Sequence, residues 1–304
     1  MRHTLIALSA AAAFSVVVTT APVGAQNAKV IKTVAIEDDS AEERINFSGK
    51  LRMLSQRIPS AACHLANDID QEASKKLLEN ATIEFEKILR ALEFGDADLN
   101  IHSSENRRLT LARIHALREN WEPFKATAEA IIAGDASEEN MQSLFSDNMN
   151  LLEFAKDLVS EVVEQYSNPT KLLQADAMLI DISGRQRMLT QKMSKESCML
   201  ASSLKTKNTP DELQGTMEIF ELSLNALRHG LPEIGIKKPP TNEISAGLEN
   251  VFKEWMQVKP MLMAILAEAD NVDAELNKQK FHALNSTMAT MNKVVGMYAV
   301  AAKR

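Results

Sequence analysis

Apolar side chains at Phe47, Leu51, Leu54, Ile58, Ala61 and Leu65 follow spacings of three and four, which trace one seam of an α-helix. About 100 degrees around the same helix runs a second stripe, Ser48, Arg52, Ser55 or Gln56, Pro59 and Cys63, small and polar enough to be read as a face other than the core. The pattern returns later in the chain. Ile182, Gln186, Leu189 and Met193 make a rougher seam, and Ser183, Arg187, Thr190, Gln191 and Cys198 repeat the polar stripe.

The two stretches read NFSGKLRMLSQRI from Asn46 and DISGRQRMLTQKM from Asp181, in register at an offset of 135 residues. The register extends well beyond them: Phe85 matches Phe220, Gly95 matches Gly230, Asp135 matches Asp270, and the only two tryptophans, Trp121 and Trp255, match within one residue. Helical periodicity and breakers predict helices over 42–68, 71–94 (stopped by Gly95), 105–133, and from GDASEEN to residue 166, with Asp135 and Glu138 at capping-box spacing. In the second copy NTPDEL offers Thr209 as cap with Pro210 in the first turn, and IKKPPTN separates the second and third helices. The expected fold is all-α: a tandem duplication of antiparallel four-helix bundles, 41–167 and 172–302, related by a pseudo-twofold axis.

Composition supports helices, since Gly and Pro number only 10 and 9 while Ala, Leu, Met, Glu and Lys abound. At the N-terminus Arg2 and His3 precede LIALSAAAAFSVVVTT, then Pro22 and a small-residue site ending at Ala25. Residues 1–25 therefore read as a signal peptide, with an uncleaved membrane anchor as the alternative, and 26–40 as a linker. No later segment is long and apolar enough to span a bilayer, so the expected mature chain is soluble and periplasmic. With Arg2 removed the net charge moves from −7 to about −8, a poor balance for binding nucleic acid.

The motif helices carry the candidate chemistry. Gly49 and Gly184 border the polar stripes at a cost of about 1 kcal/mol each against alanine, which suggests close approach of another backbone or a ligand. Cys63 and Cys198, the only cysteines, occupy equivalent positions. In an oxidising compartment they are expected to form a disulfide on the axis, the alternatives being buried thiols or bridges between chains. Arg52 lies eleven residues before Cys63, about three turns, and Arg187 precedes Cys198 identically, so a staple at the cysteines sets the two arginines face to face. Two readings stay open. In one, Arg52 and Arg187 clamp a planar oxyanion, with Ser48, Ser183, Gln56 and Gln191 as neutral donors; in the other, each arginine pairs with an internal acid, Asp181, Glu42 or Glu43.

INFSGKLRMLSQRI and IDISGRQRMLTQKM resemble the N-terminal helix motif of the sensor domain shared by PilJ-type type IV pilus chemotaxis transducers and nitrate/nitrite sensor kinases. Asn46, Gly49, Arg52, Met53, Ser55 and Gln56 carry the match, as do Gly184, Arg187, Met188, Leu189, Thr190 and Gln191. The resemblance implies an extracytoplasmic four-helix sensor in which motif helices meet and their arginines hold one anion. The expected function is an exported sensory protein that binds a nitrate- or nitrite-like anion and reports to a membrane-bound sensor, transducer or transporter; the rival is a structural module without a ligand. Phe47 and Ile182 stand where nitrate sensors carry a lysine, and Pro59, opposite Ser194 in the second copy, makes the copies unequal.

No catalytic activity, metal or cofactor is expected. None of His64, His102, His115, His229 or His282 follows a Glu by three residues, as di-iron bundles require, and no haem-attachment run occurs. The methionines, 15 in all, are read as core filler rather than copper ligands.

Overall fold

The computed structural model describes residues 40–167, 172–269 and 272–303; the expected signal peptide, nearly all of the linker and Asp270 lie outside them. Eight helices follow in order: α1 (Ala41–Ala66), α2 (Gln71–Phe94), α3 (Arg108–Ile132), α4 (Glu138–Tyr166), α5 (Gln174–Leu200), α6 (Thr209–His229), α7 (Asn242–Ala267) and α8 (Ala274–Ala302). Among the described residues there is no strand, so the fold is all-α as expected.

Equivalent sequence positions make equivalent local structure. Gly95 and Gly230 end α2 and α6 with φ of +83° and +77°, a conformation strained for any side chain, and their N–H groups close the last turn on Ala91 and Ala226. Each is followed by a short 3-10 turn, Ala97–Leu99 or Pro232–Ile234, closed by an isolated bridge, Asp96 with Ile101 or Leu231 with Ile236. Within each copy the matched aromatics meet: Phe85 stacks on Trp121 at 3.9 Å and Phe220 tilts against Trp255 at 4.8 Å, all four fully buried.

Three starts differ from expectation. α3 begins at Arg108 because the buried Glu105 carboxylate accepts the N–H groups of Asn106 and Arg107, both at 2.8 Å, and the Tyr166 hydroxyl at 2.6 Å, which holds this segment out of the helix. α4 is capped at Ser137, and Asp135 uses its backbone carbonyl to accept from the Asn140 side chain instead of forming a capping box. Thr209 is the first residue of α6 rather than its cap, its hydroxyl accepting the Thr206 N–H at 2.9 Å.

The central finding is how α1 and α5 sit. Each packs most extensively on the other; α1 is enclosed further by α2 and α4 of its own copy and by α8 of the other, and α5 by α6, α8 and α7 of its own. Every residue from Leu51 to His64 is buried, as is every residue from Met193 to Leu200. The polar stripe read as lying off the core is thus interior, because the neighbouring copy covers it. The described residues form one compact unit. A disulfide joins Cys63 to Cys198, Cα atoms 6.2 Å apart, across the α1–α5 contact.

Candidate functional site: the paired arginines

Two features of α1 and α5 bring Arg52 and Arg187 together. The disulfide pins the helices at Cys63 and Cys198, three turns away, and the missing side chains of Gly49 and Gly184 leave room. A Cβ on Gly49 would lie 3.3 Å from Arg52 Nη2 and 3.5 Å from Arg187 Nη2; on Gly184 the distances are 3.4 Å to Arg187 Nη2 and 3.5 Å to Arg52 Nη2. What approaches the glycines is therefore the two guanidinium tips themselves. Both arginines are buried, at 2% and 1% exposure.

Their partners differ. Arg52 Nη2 lies 2.7 Å from Asp181 Oδ1 as an ion pair and 3.4 Å from the Asp181 carbonyl. The internal-acid reading holds for this arginine, with Asp181 and not Glu43, which pairs with Lys303. Asp181 Oδ2 is held from the solvent side by Arg185, at 2.8 Å from Nη2. Arg187 donates to amide oxygens instead: Nη1 to Asn46 Oδ1 at 2.9 Å and Asn292 Oδ1 at 2.8 Å, Nη2 to the Asn46 carbonyl at 3.0 Å. The Nε atoms of both arginines are buried and make no hydrogen bond.

Electrostatically the centre is short of negative charge. Burial pushes Arg187 down to about 9, and the Arg52 charge adds to the shift; the side chain stays cationic at neutral pH. Arg52 is also lowered by burial, with Asp181 opposing. Burial takes Arg57 to about 10 and lowers Lys50, which pairs with Glu84. Five cations (Lys50, Arg52, Arg57, Arg185, Arg187) thus face two carboxylates, Asp181 and Glu84, in a chain whose net charge is −7.

The other expected polar site residues lie on the same buried contact, each already making a hydrogen bond within the protein. Ser48 and Ser183 donate to the Ile45 and Ile180 carbonyls, 3.1 and 3.0 Å away. Gln191 donates to Asn285 at 3.3 Å and accepts from Arg57 Nε at 3.2 Å. Gln56 donates to Ser55 at 3.3 Å, and its Oε1 has no partner. Asn292 and Asn285, to which no motif pointed, complete the centre with Arg57, which lies in the repeated stretch but was not among its expected site residues. The asparagines arrive from α8, more than 90 residues along the chain from their partners on α5.

A family model described as PilJ, type IV pili methyl-accepting chemotaxis transducer N-term, matches residues 36–144 and 170–291, one segment per copy. No curated protein matches the chain.

Proposed function

We propose that this chain, which belongs to the PilJ family of type IV pili methyl-accepting chemotaxis transducer N-terminal domains, is a sensory module that binds one small oxyanion of the nitrate class between α1 and α5. One observation carries the reading: a guanidinium from each copy converges on the same space beside Gly49 and Gly184, and only one of the two has a carboxylate. Buried like charges repel strongly unless an anion lies between them, so occupancy would draw α1 and α5 together. That differential contact is what a sensor needs, since a ligand shifts a conformational balance only by its preference for one state. No helix among the described residues is long and apolar enough to cross a membrane. In this reading a membrane-bound sensor, transducer or transporter receives the signal, and the disulfide suits an oxidising, periplasmic setting.

The second reading is a scaffold without a small ligand. It is favoured by Asp181, which already neutralises Arg52, and by the two asparagines that satisfy Arg187 Nη1. Calorimetry with nitrate, nitrite and chloride on wild type, Arg187→Ala and Arg187→Lys separates the two. The clamp predicts saturable binding that is lost with alanine and at least about tenfold weaker with lysine, which lacks the planar fork. Absence of binding by every anion to folded wild type supports the scaffold.

A further inference from the structure

A cleft of about 400 Å³ opens beside Asp181, walled by Val163 of α4, Gln174, Ala175 and Met178 of α5, and Ile234 and Gly235 at the end of the second 3-10 turn. Its walls are mostly apolar, Gln174 being the exception, and in part open to solvent: Ile234 is 58% and Met178 38% exposed. Among its lining residues the one charged group is the Asp181 carboxylate, which lies against Arg52. The size falls in the ordinary range for small-ligand sites, which join apolar walls to a few polar groups.

We infer that this cleft is the entrance and tail pocket of the arginine centre, and that the ligand class it admits is a small organic carboxylate with a short hydrocarbon tail. The inference rests on the anion-clamp reading. The Asp181 carboxylate already occupies the position on Arg52 that such a headgroup would take. It has somewhere to go: Oδ2 is engaged by Arg185 Nη2 at 2.8 Å and Nε at 3.1 Å, on a side chain 57% exposed. An incoming carboxylate takes Arg52 while Asp181 stays with Arg185, so no charge is left buried without a partner. Asp181, Arg52, Arg185 and Arg187 together carry a net positive charge before the ligand arrives, which offsets the repulsion Asp181 exerts on an anion.

The matched wall of the first copy is polar. At the matched positions Ser40 and Glu43 replace Ala175 and Met178, Asn46 replaces Asp181, and Lys303 of α8 pairs with Glu43.

The test is calorimetry with nitrate, acetate and butyrate on wild type, Asp181→Asn and the cleft-filling variants Ala175→Trp and Met178→Phe, each first shown to melt cooperatively by circular dichroism. Two further methylenes buried against the walls predict roughly tenfold tighter binding of butyrate than acetate. Filling the cleft should erase that difference and leave nitrate affinity within about twofold. Asp181→Asn, by removing the negative charge that neutralises Arg52, should tighten all three anions. If nitrate binds but butyrate is no tighter than acetate, or either filled variant keeps the preference, the inference is overturned and the clamp stands. If neither wild type nor Asp181→Asn binds any of the three, the clamp itself falls, and this inference with it.

Discussion

Replacing Lys280 with methionine removes a buried cation that has no carboxylate beside it. Lys280 of α8 is fully buried, and its Nζ lies 3.0 Å from His64 Nε2. His64 Nδ1 sits 2.7 Å from the Ser60 carbonyl, which can only accept, so Nδ1 carries the proton and Nε2 accepts from the lysine. Burial pushes Lys280 from 10.5 to about 7. Because the folded protein then binds fewer protons than the unfolded chain between those values, wild-type stability rises with pH across that window. At about 1.4 kcal/mol per pH unit, the rise attributable to Lys280 between pH 7 and 9.5 is roughly 3 kcal/mol. The full penalty at pH 7 and below is roughly 4 to 5 kcal/mol. Methionine removes it but orphans His64 Nε2, at a cost of about 1 to 3 kcal/mol, so the variant should be the more stable protein at pH 7 and lose that advantage by pH 9.5. Urea unfolding at pH 6.5, 8 and 9.5 measures both. Other lowered cations, Lys195 and Arg187 among them, tilt both proteins alike, so the difference between the two curves from pH 8 to 9.5, above the range in which a histidine titrates, isolates Lys280. Parallel curves would refute the argument. Burial and the Lys280 charge also hold His64 well below 6.5, so further loss of stability is expected as pH falls below 6.5 in wild type.

Gly247→Ala should destabilise by about 1 to 3 kcal/mol despite alanine's better helix propensity, because the new Cβ would lie 2.7 Å from Val294 Cγ2; Gly215→Ala, with open space around it, should instead gain up to about 1 kcal/mol in the same thermal unfolding assay. Reducing the disulfide, or Cys63→Ser with Cys198→Ser, should cost roughly 2 to 5 kcal/mol given the 135-residue separation, read as a shift in the denaturation midpoint with and without reductant. Gly49→Ala places a methyl 3.3 Å from Arg52 Nη2, a flexible tip that shifts by a few tenths of an ångström; the melting temperature should therefore hold while nitrate-induced stabilisation falls. Equal nitrate response in Gly49→Ala and wild type would dissociate the glycine from the arginine centre.

Local signals identified much of the scaffold. Helix α2 lies over 71–94 as its amphipathic period and Gly95 required, while α3 starts three residues late. That delay comes from Glu105, whose carboxylate is held by Tyr166 at the far end of α4, a contact 61 residues away that no local signal could register. The same limit applies to the site. Gly49, Gly184, Arg52 and Arg187 were recognisable because they recur at a fixed offset, whereas Asn285 and Asn292 sit on α8 as unremarkable polar residues and matter only because α8 crosses α5.

The sequence by itself determined the helices, the duplication and the pairing of equivalent residues, since periodicity, helix stops and a constant register are properties of the chain read in order. Only the tertiary structure decided the environment of the repeated polar stripe. Read on one helix it is a small polar face, but a second copy laid against it removes its water. That makes the arginines buried and their charges costly to leave unmatched. Asp181 illustrates the same division: its difference from Asn46 is visible in the sequence, but its hold on Arg52 exists only where α1 and α5 meet.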